Sequence, residues 1–192
     1  MGFERGLLSR PHPIAVPALT LALVNSNLPR RPAGAVQPER DDPLADRGTA
    51  STFLAQWHLD GTITRATLPQ LRAWRQALAE ALGRTAAGKL LPAQSVASLN
   101  ALATRCPRTR QLTRTLEVRD VTADRDAAQR LIARCLDEIA SCDIRRIKRC
   151  ARPACGLFFY DVTRNHSTHW HAENPCGWRS RDERRRSGTS RD

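Results

Sequence analysis

The chain has 192 residues, 41% of them hydrophobic, and 31 Lys and Arg against 19 Asp and Glu give a formal net charge of +12. That length and apolar content suit one ordinary domain, or one domain with a small appendage, whose core does not depend on a metal. No apolar run approaches a membrane span, and the charge points to a polyanionic partner such as nucleic acid, although an arginine bias with only two lysines, Lys89 and Lys148, also follows from a GC-rich genome.

The first 26 residues, with two arginines before an apolar stretch, faintly resemble a signal peptide. Pro13 and Pro17 interrupt that stretch and no small-x-small site closes it, so a cytoplasmic chain is expected. Leu21–Ser26, "LALVNS", reads as a short buried element. The four prolines and mixed charge of residues 27–48 read as a long surface loop. "TASTFLAQWHL" predicts a short helix with Phe53, Leu54 and Trp57 inward. The clearest helix covers 67–82, capped by Thr67, striped by Leu71, Trp74, Leu78 and Leu82, and ended by Gly83. A further helix follows, with Pro92 in its first turn and Val96, Leu99 and Leu102 inward. "QLTRTLEVRDV" alternates, with Leu112, Leu116 and Val118 on one face, and reads as strand or hairpin. Residues 124–141 return to helix and bury Leu131, Cys135, Leu136 and Ile139. The fold class expected is therefore α+β: a mostly helical part with a small hairpin over 1–143, a small module rich in cysteine and histidine over 144–186, and a disordered tail over 187–192, the arginine-rich end after Arg184 being read as unstructured.

Residues 144–192 hold 12 basic and 5 acidic residues, net +7, against net +5 for residues 1–143. The same segment gathers three of the six cysteines and three of the five histidines. A disulfide set is a poor reading: Cys106 stands alone, and Cys135 and Cys142 lie seven residues apart on one helix, roughly 10 Å by helical rise. A reducing compartment with thiols used as metal ligands fits better. Structural zinc needs four soft or borderline donors, usually two pairs from separate hairpins. Cys150 and Cys155 form C-x4-C, with Pro153 and Gly156 for a tight turn. "LFFYDV" follows as a strand, Arg164–Ser167 as its turn and "THWH" as the returning strand. Cys176, just after Pro175, opens an arginine-rich helix. The order knuckle, hairpin, helix is that of a treble clef. The fourth donor is a histidine. His171 repeats the x4 spacing with Cys176 and is favoured over His169, which points to the same strand face.

This pattern, with Arg164 and Asn165 in the turn and Trp170 before the third ligand, resembles the CGNR zinc finger of bacterial regulators. Upstream, "LALVNS" and "LPQLRAWRQALAEAL" resemble the opening element and central helix of its partner, the ABATE domain. The resemblance implies a stress-induced transcription regulator with an N-terminal sensor domain and a DNA-binding finger holding zinc through Cys150, Cys155, His171 and Cys176. Two positions depart from the family: its third ligand is usually cysteine, and Trp178 stands where its name motif has asparagine.

Arg164, Asn165, Arg179, Arg181, Arg184 and Arg185 are the candidate nucleic-acid contacts, since guanidinium forks suit phosphate and guanine alike. The N-terminal part is expected to sense a small molecule or pair with a second copy, with no membrane role. The competing readings are a protein-interaction finger and an HNH-like nuclease using Asn165, His166 and His169. Beside Asp161 the nuclease lacks a second acidic metal ligand nearby, and no P-loop, G-x-S-x-G or dinucleotide fingerprint occurs elsewhere, so an enzyme is not expected.

Overall fold

Helix α3 (Thr67–Ala86) is the element that most of the others pack against. The computed structural model describes residues 15–26, 42–59, 61–104, 108–112, 114, 118–122 and 126–188, with backbone alone for 108–112 and 118–122. The other helices are α1 (Ala18–Asn25), α2 (Arg47–Gln56), α4 (Ala93–Thr104), α5 (Ala127–Ser141) and α6 (Trp178–Arg186). Strands β1 (Arg108–Leu112) and β2 (Val118–Thr122) form one antiparallel hairpin, and β3 (Ile147–Arg149) and β4 (Phe158–Tyr160) another. The signal-like stretch 1–14, residues 27–41 with Asn27, Cys106, Leu116 and the end 189–192 lie outside the described residues.

The expected stripe Leu71, Trp74, Leu78 and Leu82 is buried along α3. At about 1.5–3 kcal/mol per large apolar side chain, it contributes roughly 6–12 kcal/mol before chain entropy is charged against it. Two details of α3 differ from the sequence reading. Thr67 is the first helical residue instead of the cap; it and Thr64 exchange bonds, the Thr64 amide donating to Thr67 Oγ1 at 2.8 Å and the Thr67 amide to Thr64 Oγ1 at 3.2 Å. The helix also runs through Gly83 to a left-handed Gly88 (φ 67°), where the Lys89 amide reaches the Arg84 carbonyl and the Gly88 amide that of Thr85, both at 2.9 Å. This 6→1 and 5→2 closure satisfies the last carbonyls. A helical glycine costs only about 1 kcal/mol against alanine, so Gly83 does not stop the helix; it sits where Phe158 approaches, 3.8 Å from where a Cβ would be.

α1 is buried on nearly all sides, and its free amides need a partner. Glu138 of α5 supplies it, accepting from Leu19 N at 3.2 Å and Thr20 N at 2.8 Å. The end of the supposed surface loop is also drawn inward. Leu44 is buried, and Asp42 forms a two-pronged pair with buried Arg75 at 2.5 and 3.0 Å. Asp46 and Thr49 then start α2 with a reciprocal capping box, and α2 buries Phe53 and Leu54 with Trp57 packed partly against the core.

In α5 Leu131 and Cys135 are buried as expected and Ile139 partly so, but Leu136 is 37% exposed. In α4 no residue is buried; Leu99 and Leu102 are half-buried and Val96 is 39% exposed. Both departures have one cause: Val96 and Leu136 line a half-open apolar cavity between α3, α4 and α5. The alternating segment is two strands, paired with Leu112 opposite Val118 and extending back to Arg108.

β3 and β4 pair with Ile147 opposite Tyr160 and Arg149 opposite Phe158. Ile147, Phe158 and Tyr160 belong to the same apolar core as α1, α3 and α5. Packing therefore runs across the 143/144 position. A second, smaller cluster holds Cys150, Cys155, Leu157 and Cys176 with Trp170 against it.

Candidate metal centre

β3 and β4 flank the first cysteine pair. The Cys150 amide donates to the Leu157 carbonyl and the Cys155 amide to that of Arg152, each at 2.8 Å, which turns the chain back on itself. Gly156 completes the turn at φ 65°, a region that glycine enters without strain. β4 then ends, and the expected returning strand at 168–171 does not form. Its residues are committed elsewhere: the His169 carbonyl accepts from the Ala151 amide at 2.8 Å, and Thr168 N binds Asp161. A turn over Glu173–Gly177 delivers Cys176 just before α6, which continues through Arg185 and Arg186, the two residues after Arg184 that were expected to be unstructured.

The donor atoms of Cys150, Cys155, His171 and Cys176 all lie within 4.8 Å of one another. His171 Nδ1 is 3.2 Å from Cys155 Sγ. With Zn–S near 2.3 Å, tetrahedral ligands stand roughly 3.8 Å apart, so the four donors are gathered on the scale of a zinc site. His169 is exposed and set edge-on to Trp170, and takes no part. The donor chemistry fits as well. Burial pushes the Cys176 thiol well above its ordinary range, and the neighbouring Cys155 and Cys150 sulfurs push it further. Three crowded sulfurs cannot ionise without a cation among them, whereas a bound divalent ion deprotonates coordinating thiols outright. Zinc with three thiolates and one imidazole leaves a net charge of −1, and the structure places a cation beside it. Buried Arg152 interacts with the Cys176 sulfur and donates to Glu183 of α6 at 2.8 Å, tying the knuckle to the helix.

Asp161 fixes the loop after β4. Its carboxylate, 1% exposed, accepts from Lys148 Nζ at 2.6 Å, Thr163 Oγ1 at 2.5 Å, Thr163 N at 2.9 Å and Thr168 N at 3.1 Å. Burial alone would raise its pKa; the bonds from Lys148 and Thr163 outweigh that and hold it far below the usual carboxylate range. Lys148 also donates to the carbonyls of His166 and Thr168, and His166 takes a left-handed φ of 53° to present its carbonyl. Arg164 and Asn165, at the tip of this loop, are exposed.

The α6 arginines divide. Arg181 pairs with Glu173 and lies over Trp170, 5.6 Å from the ring centre. Glu173 in turn sits above Gly177, so a side chain at 177 would displace it. Arg184 and Arg185 are exposed, Arg185 only 3.8 Å from Asp182, while Arg179 is half-buried. Trp178 is 53% exposed on the first turn of α6. All four acidic residues of 144–186 are engaged internally, Asp161 by Lys148, Glu173 by Arg181, Asp182 by Arg186 and Glu183 by Arg152.

Arg152 and Lys148 escaped the sequence reading because they looked like part of a basic surface. Asn25 escaped it too: its carboxamide exchanges two 2.8 Å bonds with the Phe158 backbone, pinning β4 to the end of α1. The last residues of "LALVNS" were the available signal.

No curated protein matches the chain. The model of the CGNR zinc finger matches residues 146–187. That of ABATE, described as "Putative stress-induced transcription regulator", matches residues 18–148. The chain therefore belongs to the ABATE family and carries a C-terminal CGNR zinc finger whose donor set is three cysteines and one histidine.

Proposed function

We propose that the chain is a zinc-dependent DNA-binding transcription regulator of the cytoplasm, with no catalytic activity. The single observation that carries this reading is the pairing of every carboxylate of residues 144–186 within the module, which leaves the charge of Arg164 and Arg184 unopposed around a metal-fixed platform. In this reading zinc holds knuckle, loop and helix together. Arg164 and Asn165 approach the duplex from the loop, and Arg179, Arg181, Arg184 and Arg185 from α6. The N-terminal helices sense an effector or pair with a second copy. Affinity for random duplex DNA, followed by fluorescence anisotropy, is expected to fall with salt at a slope near −4 for about four or five phosphate contacts, and to vanish with chelator. Binding insensitive to both would defeat it.

A second reading, a protein-docking finger, is favoured by the exposed Trp178 and Val162. Partners that survive nuclease treatment in a pull-down would support it. For an HNH-like nuclease, no second metal-binding cluster accompanies Asn165, His166 and His169 among the described residues. Plasmid nicking lost on His166→Ala would revive it.

A further inference from the structure

α4 is a helix of 12 residues, mostly Ala, Leu and Val, none of them buried. It stands off from α3 and α5 across a cavity of about 230 Å³. The floor is Trp74, Leu78 and Leu82 of α3, and one wall is Leu99 and Ala103 of α4. No charged side chain lines it; the lining residues with polar side-chain groups are Thr85, Asn100 and, through its indole N–H, Trp74. Thr85 Oγ1 donates to Ala81 O, leaving its lone pairs, and Asn100 is exposed, with no side-chain partner among the described residues.

We infer that this cavity binds a small, neutral, largely apolar molecule bearing one hydrogen-bonding group, and that this molecule is the effector of the regulator. The inference rests on the regulator reading above. A dry apolar cavity of about 150 Å³ holds benzene, so this one, at about 230 Å³, holds roughly nine or ten heavy atoms, the size of naphthalene. Apolar walls with a few placed polar groups are the usual composition of a small-molecule site. An anion or nucleotide would find no cation there. A second copy fits less well: the exposed apolar side chains at or beside the mouth are Leu90, Val96 and Leu136, far short of the roughly 800 Å² per partner of a stable interface.

The cavity also touches the finger's support. Ile144 lines it and begins the turn Ile144–Arg146 that leads straight into β3. Just before it, the Asp143 amide donates to Tyr160 Oη on β4 at 3.2 Å. A molecule that moves Ile144 therefore bears on the hairpin that carries Cys150 and Cys155. Its effect on DNA affinity equals its difference in affinity for the DNA-bound and the free chain.

The test uses zinc-loaded full-length chain titrated calorimetrically with 1-naphthol and with naphthalene. Saturable one-site binding is expected, with Kd on the order of 10–100 µM. Ala103→Phe, which fills the wall from a half-buried position, should weaken both at least tenfold. Asn100→Ala, at an exposed position, should weaken 1-naphthol several-fold and leave naphthalene unchanged. No saturable binding, or equal binding by Ala103→Phe, overturns the site. A dimer that Ala103→Phe dissociates in sedimentation overturns it too, by giving the face to a second copy. Saturating 1-naphthol should change DNA affinity at least threefold in the wild type and not in Ala103→Phe; an unchanged affinity overturns the effector role. Absence of any DNA binding with naphthol binding intact overturns the regulator reading and leaves the pocket standing.

Discussion

Replacing Asp161 with asparagine keeps the side chain's shape and removes its charge. Four donors converge on the carboxylate at 2.5–3.1 Å, one of them the ammonium of Lys148. Asparagine can accept through one oxygen only and turns an NH2 toward the remaining donors. Removing one partner of a fully buried ion pair costs about 3–5 kcal/mol. Lys148 is 26% exposed and keeps two carbonyl acceptors, so the lower figure of about 2–3 kcal/mol applies here. For a chain of this size that is roughly 4–12 °C in Tm, measured with zinc in excess. The pH dependence has a definite sign. A carboxylate whose folded pKa is depressed stabilises fully above its unfolded value of about 3.9, and that stability is lost as pH falls through the folded value. The gap between wild type and Asp161→Asn should thus be constant from about pH 5 to 8 and close only below about pH 4. A double-mutant cycle with Lys148→Met should show coupling above about 1 kcal/mol. A Tm shift under about 2 °C, or additive mutants, would refute the picture of a loop locked by this pair.

The metal site, the docking of β4 and the Arg152 bridge can be probed separately. Chelation, or Cys155→Ser, should take zinc from one per chain to none and abolish DNA binding. Far-UV helicity should fall by little more than the nine residues of α6, because the α1–α5 core contains no ligand; global unfolding would contradict this. Asn25→Ala strands the Phe158 amide and carbonyl and should cost about 1–3 kcal/mol in denaturant titration, and Asn25→Asp, which cannot donate to the carbonyl, should rescue little. Arg152→Met keeps the packing but removes the cation beside the Cys176 sulfur. Zinc affinity by competition with a chelating dye should fall about 10–100-fold, while stability changes little because Glu183 is largely exposed; unchanged affinity would count against the bridge.

The features that were legible in the sequence are those written in short-range patterns. The stripe of α3 recurs at helical spacing, and burial follows from it directly. The ligand set is readable because zinc geometry demands paired donors, and the equal spacing of the two pairs favoured His171 over His169 before any distance was known. The features that were not legible depend on what lies across the chain from a residue. "THWH" has a strand's pattern although Asp161 and Ala151 take up its backbone groups.

The same limit hid the residues that join the two parts of the molecule. Asn25 and Phe158 are 133 positions apart, Glu138 and Thr20 are 118, and nothing local distinguishes Arg152 from the arginines that face solvent. Yet these contacts decide how the finger is held. β3 and β4 place one set of side chains in the helical core and, at their ends, hand Cys150 and Cys155 to the metal cluster. A hairpin shared in this way cannot shift toward one side without moving the other. This is why a cavity wall at Ile144 and a zinc ligand at Cys150, six residues apart, belong to a single mechanical element, through which the proposed effector would act on the finger.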